Sequence, residues 1–307
     1  MIQTIDELRS KFLELNTNRS GDRRSPHKPL LLLYAIGQLF RGKSSLDYEN
    51  VKESLLPLLN SYAPPVSRSH QPELPYWHLA NDGIWEVDGG DELPRQKGGF
   101  PIIAELRKTS GRLTSDVADL MLGNKRRAPE LIQTILDEHF PQSLHEDILA
   151  ATGLDSILAS CVGEDSPAYA GRKRDPRFRE KVLRAYEHRC AVTGFRAALG
   201  GSFFGCEAAH VQWHAYAGPD SVTNGIALEP TLHKLFDAGA WTLTDDHRIL
   251  VSADFTGTDS AVERLRQKHG KPLRDPIPGD NPVSPEYIQW HRESNKGGVF
   301  REPALPL

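Results

Sequence analysis

The sequence predicts an α+β chain: an α-rich first domain with one small β-ribbon, then a second domain built on a short strand–strand–helix unit. Three observations lead there. Apolar residues recur at helical spacing through the first half, a break in composition falls near residue 171, and short strand-like segments rich in small residues follow it. With 307 residues there is room for two ordinary domains, each with its own core.

The elements follow in order. Thr4 and Glu7 form a capping-box pattern ahead of Ile5, Leu8, Phe12, Leu13 and Leu15, which predicts a first helix. A polar, turn-rich stretch ends in Arg23-Arg24-Ser25-Pro26-His27-Lys28-Pro29. A second helix runs from there to Arg41, with Gly42 as its stop and apolar residues on more than one face, as expected of a central helix. A third is expected over 48–61, interrupted at Pro57. Beyond Pro64-Pro65, Tyr76 to Leu79, Asn81-Asp82-Gly83 and Ile84 to Val87 read as a hairpin turning at Asp-Gly, in the manner of a winged-helix relative. Helices are expected again over 102–107, 114–122, 129–139 and 142–151. The domain boundaries predicted are 1–160, a linker at 161–171 and 172–307.

Composition narrows the function. The net charge is -4, from 37 basic and 41 acidic residues, so a globally basic nucleic-acid binder is excluded while local basic patches are not. One such patch opens the second domain. Arg172, Lys173, Arg174, Arg177, Arg179, Lys181, Arg184 and Arg189 stand against Asp175, Glu180 and Glu187, with Phe178, Val182, Leu183 and Tyr186 as an apolar stripe. No apolar run reaches the roughly 20 residues that span a bilayer, and the opening residues lack the pattern of a secretory signal. Cys161, Cys190 and Cys206 are too few for a disulfide framework. A reducing cytoplasm is the expected setting.

The chemistry-bearing residues lie downstream of the basic stretch. Cys190-Ala191-Val192-Thr193-Gly194 leads through a glycine-rich turn to Glu207-Ala208-Ala209-His210, then Asn224-Gly225, then Leu232-His233-Lys234-Leu235-Phe236-Asp237. Singly, each has a bland reading: a half-buried strand histidine, a turn asparagine, a helix-surface histidine. Together they resemble the HNH nuclease motif over about 172–250, and Tyr287 to Arg292 with Val299-Phe300-Arg301 resemble the tail of one HNH branch. The resemblance implies a ββα-metal fold and phosphodiester hydrolysis. His210 is then the general base, since a neutral imidazole takes a water proton near pH 7. His233 is the metal ligand, and Asn224 pins the loop or joins the ligand set, as its counterparts do in some relatives. A divalent ion, Mg²⁺ or Mn²⁺, is implied. Two departures stand out. Ala209 occupies the place where many HNH enzymes carry a metal-binding Asp, leaving Glu207, on the same strand face, as a substitute. Only Cys190 and Cys206 lie where relatives hold a four-cysteine zinc knuckle, so a structural Zn²⁺ is not expected. Asp237, at i+4 from His233, either orients that histidine or forms a surface ion pair.

The first domain resembles the sulfur-binding domain of McrA-like type IV restriction enzymes, through Arg24 to Leu32, Arg68-Ser69-His70 and Pro75 to Trp85. This resemblance implies double-stranded DNA carrying phosphorothioate as partner. Pro29 would touch sulfur and Leu32 complete an apolar wall, with His27, Lys28 and Arg24 supplying positive potential at a helix start. Arg68, Ser69 and His70 would contact neighbouring phosphates or base edges. Two rivals remain: a trigger of methylated or hydroxymethylated cytosine, caged by Tyr62, Tyr76 and Trp77, and a regulator carrying a silent HNH fold. One HNH site per chain implies either two chains, as a homodimer on DNA, or two events for a double-strand cut.

Overall fold

The computed structural model describes residues 2–17, 25–64, 69–157, 176–216, 218–293 and 298–307. The expected linker at 161–171 lies outside them, as do Arg24 and Arg68. Helix α1 (Ile5–Leu13) carries the capping box as expected: the Thr4 hydroxyl accepts from the Glu7 N–H, and the Glu7 carboxylate reaches back to the Thr4 N–H. Helix α2 (His27–Phe40) is buried on every side, from Lys28 through Leu39, and forms the axis of the domain. Helix α3 (Tyr48–Tyr62) passes through Pro57 without a break. Val51, Leu55, Leu58 and Leu59 anchor it to the core, and that burial outweighs the one backbone bond proline removes.

The hairpin expected over 76–87 is absent. Tyr76, Trp77 and His78 belong to helix α4 (Glu73–His78), which runs into a 3₁₀ turn over 79–82. Only the Asp-Gly turn survives, with Gly83 left-handed at φ 73°. Strand β2 (Trp85–Val87) pairs instead with β3 (Ser110–Leu113), which also pairs with β1 (Leu46–Asp47), in the order β1-β3-β2. Tertiary contacts explain the difference: Asp82 accepts from the Lys28 ammonium at 2.6 Å and from the Asn16 N–H at 2.7 Å, which ties the turn to α2. Helices α5 (Ile103–Leu106), α6 (Ser115–Gly123), α7 (Ala128–His139) and α8 (His145–Thr152) complete this half, close to their expected positions.

The second half opens with the basic helix α9 (Pro176–Ala185) and a ribbon of β4 (Ala197–Leu199) and β5 (Ser202–Phe204). Strands β6 (Glu207–His210) and β7 (Gly225–Leu228) pair antiparallel and lead into α10 (Pro230–Asp237). Strands β8 (Trp241–Leu243) and β9 (Ile249–Val251) follow, then α11 (Asp259–Arg266) and α12 (Pro285–Arg292). The halves are not separate beads. Trp213, Tyr216, Trp290 and Val299 of the second belong to the hydrophobic core of the first, with Trp213 and Trp290 rings 6.0 Å apart and Tyr216 5.5 Å from Trp290.

Helix α12 is locked by His291, which is wholly buried and stacked on Phe236 at 3.7 Å. Its Nε2–H donates to the Phe236 carbonyl and its Nδ1 accepts from Thr242 Oγ1. Burial pushes this imidazole down to about 4, against the pull of Asp237.

Two outcomes are expected. Asp82→Ala leaves a buried ammonium without its counter-ion and should cost about 3 kcal/mol in urea denaturation, whereas the paired change Lys28→Met with Asp82→Leu should recover most of it. His291 is neutral in the fold and titrates near 6.5 when unfolded, so its stabilisation is present above that pH and lost as pH falls toward 4. The full loss amounts to about 3 kcal/mol. Denaturation curves of His291→Phe between pH 7 and 4 should fall less steeply than wild type.

Candidate active site

The β6–β7–α10 unit brings the sequence-flagged residues together as two clusters on a shared ribbon. Glu207 faces Leu228 and His210 faces Gly225 across it. Alternation sends Glu207 and His210 to opposite sides: Glu207 meets α10, while His210 lies under Phe178 of α9. Gly225 permits this layering, since a Cβ there would come within 2.4 Å of the Val182 side chain.

In the first cluster, His233 Nδ1 lies 2.8 Å from Glu207 Oε2 and its Nε2 lies 3.2 Å from Asp237 Oδ2. Burial alone would depress this imidazole, but the Asp237 and Glu207 carboxylates outweigh it and raise it to about 9. Hydrogen bonding from His233 holds Glu207 below the usual carboxylate range. Asp237 is buried, which acts to raise it, yet the His233 charge keeps it low. The Asp237 carboxylate also accepts from Trp213 Nε1–H at 3.0 Å and from the Ser143 hydroxyl of the first half. Asp237 therefore orients His233 from within the core and is not a surface partner. A divalent cation would have to displace the proton shared by His233 Nδ1 and Glu207 Oε2, after which that nitrogen and the half-exposed Glu207 carboxylate make a mixed nitrogen and oxygen donor pair. Among the described residues no cluster of three His, Cys, Asp or Glu side chains forms a ready-made metal cage.

In the second cluster, His210 stacks on Phe178 at 4.0 Å, and its Nε2 lies 2.8 Å from Asp220 Oδ1. Sequence reasoning missed Asp220 and Ser143 and gave Trp213, near the motif, no role, because the loop between strands and the fold of the other half bring them in. An Asp within the His–Asn interval was the available signal for the first.

Asn224 is wholly buried. Its Nδ2 donates to the carbonyls of Gln212 and Pro219, each at 3.0 Å, and its Oδ1 accepts from the Gln212 N–H at 2.8 Å. Every polar atom of the amide is committed, so the expectation that Asn224 ligates metal is corrected: the loop takes the side chain that a metal would need. Cys190 and Cys206 are free thiols packed in the core.

In the first half, several residues expected at a DNA surface are corrected. Leu32 is wholly buried and Pro29 buried, because α2 is enclosed on every face. Lys28 is neutralised by Asp82. His27 bonds Ser25 Oγ at 2.5 Å and His70 Nδ1 at 3.1 Å. Burial, followed by repulsion from His70, depresses His27 to about 4, so it brings no positive charge at neutral pH. His70 is lowered too, by burial and then by Arg301. Ser69 is exposed, and so is Leu74 on α4, at 42%. Tyr76 has no exposure, packed against Tyr48 and Trp85, so the aromatic cage for a flipped base does not form.

Residues 5–157 match the family described as ScoMcrA-like, DNA sulfur-binding domain, and residues 190–244 match HNH endonuclease. Similar solved structures include a sulfur-binding domain of ScoMcrA complexed with phosphorothioated DNA, at 22% identity over 51% of this chain and 99% of that one (TM-score 0.43). The sulfur-binding domain of SprMcrA, also complexed with phosphorothioated DNA, matches at 20% identity over 50% of this chain and 95% of that one (TM-score 0.41). The type IV phosphorothioation-dependent restriction endonuclease ScoMcrA matches at 23% identity over 60% of this chain but 39% of its own length (TM-score 0.43). No curated protein matches at a significant level.

Asn224→Ala removes three hydrogen bonds and leaves the Gln212 N–H and two carbonyls unpaired. A loss of about 2–4 kcal/mol in chemical denaturation is expected, with cleavage reduced although the side chain touches no reacting atom.

Proposed function

We propose, for a chain that joins a ScoMcrA-like DNA sulfur-binding domain to an HNH endonuclease domain, a division of labour in which residues 1–160 read phosphorothioate in double-stranded DNA and residues 172–307 cut nearby. The chain is a DNA endonuclease. The observation that carries the catalytic assignment is the β6–β7–α10 unit, which gives His210 and His233 each a carboxylate partner.

The chemistry follows from charge. A phosphodiester repels nucleophiles, so attack needs an activated water and positive charge at the phosphorus-bound oxygens. Paired through Nε2 with Asp220, His210 takes the proton of the attacking water, and the imidazolium formed is stabilised by that carboxylate. Phe178 fixes the ring plane. Glu207 and His233 would hold a divalent ion, Mg²⁺ or Mn²⁺, which supplies Lewis-acid stabilisation of the scissile phosphate when bound. Asp237 fixes the His233 ring from behind. The products are a 3′-hydroxyl and a 5′-phosphate. A double-strand cut then takes either two chains, as a homodimer on DNA, or two successive events.

Sulfur in place of a non-bridging oxygen keeps the charge but is larger and poorly hydrated. A reader therefore needs an exposed apolar contact, where oxygen would lose water without compensation. With Pro29 and Leu32 buried, Leu74 is the side chain assigned this contact, exposed on α4 four residues after His70, whose ring packs on His27 at the start of α2. No helix among the described residues is long and apolar enough to cross a membrane, and a cytoplasmic setting suits a restriction enzyme.

The test uses the full chain, because Trp213, Tyr216 and Trp290 complete the core of the first half. Duplexes with and without one phosphorothioate are compared by gel shift at two salt concentrations and by cleavage with Mg²⁺ or Mn²⁺. His210→Ala should lose about 10²–10⁴-fold in cleavage rate with unchanged affinity for the modified duplex. His233→Ala should lose Mn²⁺ binding in calorimetry, and Leu74→Asp should erase the preference for phosphorothioate. Retained cleavage by His210→Ala, or equal binding of both duplexes by wild type, overturns the corresponding assignment.

A further inference from the structure

The two-stranded ribbon that precedes the catalytic strand has two unlike faces. β4 and β5 oppose Ala197 to Phe204, Ala198 to Phe203 and Leu199 to Ser202. Their turn is Gly200-Gly201, both left-handed at φ 58° and 84°, the geometry of a tight two-residue hairpin. Opposed residues share a side and successive residues alternate. Phe203 and Ala198 thus lie on one face, Leu199 and Phe204 on the other. The first face has partners within the domain although Phe203 stays 42% exposed: its ring stacks on His188 at 4.6 Å, and the Arg196 guanidinium lies 4.2 Å from its centroid. The second face turns outward, with Leu199 78% and Phe204 52% exposed.

The surroundings indicate what covers that face. Arg196 is exposed at the base of the ribbon, and α9 exposes Arg177, Arg179, Lys181 and Arg184. Arg179 also reaches the Cys206 carbonyl, which places the basic helix against the ribbon's exit. In a chain of net charge -4, these cations are a local concentration. A second copy of the same basic surface would be repelled, whereas a polyanion would be drawn in. Phe204 is three Cα–Cα steps from Glu207, at most about 11 Å, so whatever the ribbon touches is close to the proposed metal site.

We propose that the ribbon is a DNA wedge: Leu199 and Phe204 enter the minor groove beside the scissile phosphate and unstack a base step, while the basic face of α9 holds the flanking phosphates. The wedge rests on the endonuclease reading but not on the identity of the modification that triggers it.

The experiment uses the full chain and a phosphorothioated duplex carrying 2-aminopurine at steps around the mapped cut, with His210→Ala as the non-cutting background. Binding should raise 2-aminopurine fluorescence at one step, and adding Leu199→Ser and Phe204→Ser should return it to the level of free duplex. In the cleaving protein the same double change should lower kcat/KM by about tenfold or more, with an unchanged melting temperature because both side chains are exposed. Wild-type fluorescence with the double variant, or unchanged kcat/KM, overturns the wedge. A wild-type dimer that becomes monomeric in the double variant, without change in fluorescence, assigns the face to a second copy and overturns it too. If wild type cuts no duplex the endonuclease reading fails, and a series of duplexes with 2-aminopurine at each successive step then decides the wedge by the fluorescence of the bound duplex.

Discussion

Asp237 is the constraint on which the arrangement of the chain turns. Its carboxylate is buried and receives three donors from three parts of the sequence: Ser143 of the first half, Trp213 of the strand-to-strand loop, and His233 one helical turn earlier. A charge taken out of water costs several kcal/mol unless its lone pairs are filled. Separating the halves would strip away the Ser143 donor and expose the Trp213–Tyr216–Trp290 cluster together. The helix that carries His233 is thus held by the same contact that docks the two halves, with Lys234 and Asp147 pairing at 3.0 Å alongside.

The ribbon of β6 and β7 distributes the chemistry from that anchor. Small residues, Ala208, Ala209 and Gly225, let α9 and α10 approach its two sides. Each histidine then meets a carboxylate on its own side, Asp220 for His210 and Glu207 for His233. Asn224 commits its whole amide to the loop between them, so the loop's shape is set before any ligand arrives. That is preorganisation built from hydrogen bonds to the backbone, made by a side chain with no exposure.

The first half spends its polar residues differently. Lys28, His27 and His70 stand at the start of a helix, where a reader of sequence places an anion site. In the fold they satisfy one another or an internal aspartate. Burial of α2 on all faces forces this, because each polar group at its amino terminus lies too near the core to remain unpaired. The recognition surface proposed above therefore rests on the neighbouring exposed side chains Ser69 and Leu74.

Sequence by itself determined a good deal: the α+β class, the capped first helix, the central apolar helix, the basic helix, and the His210–Asn224–His233 order that marks an HNH domain. Those features are local, written in periodicity, capping chemistry and spacing, and need no distant partner to be legible. Only the tertiary structure decided that Tyr76 sits in a helix rather than a hairpin, that Pro57 does not break α3, that Lys28 is neutralised by Asp82, and that Asp220, Ser143 and Trp213 complete the site. Each depends on groups brought together across tens of residues, where burial sets which polar atoms must pair, and no local pattern encodes the identity of the partner.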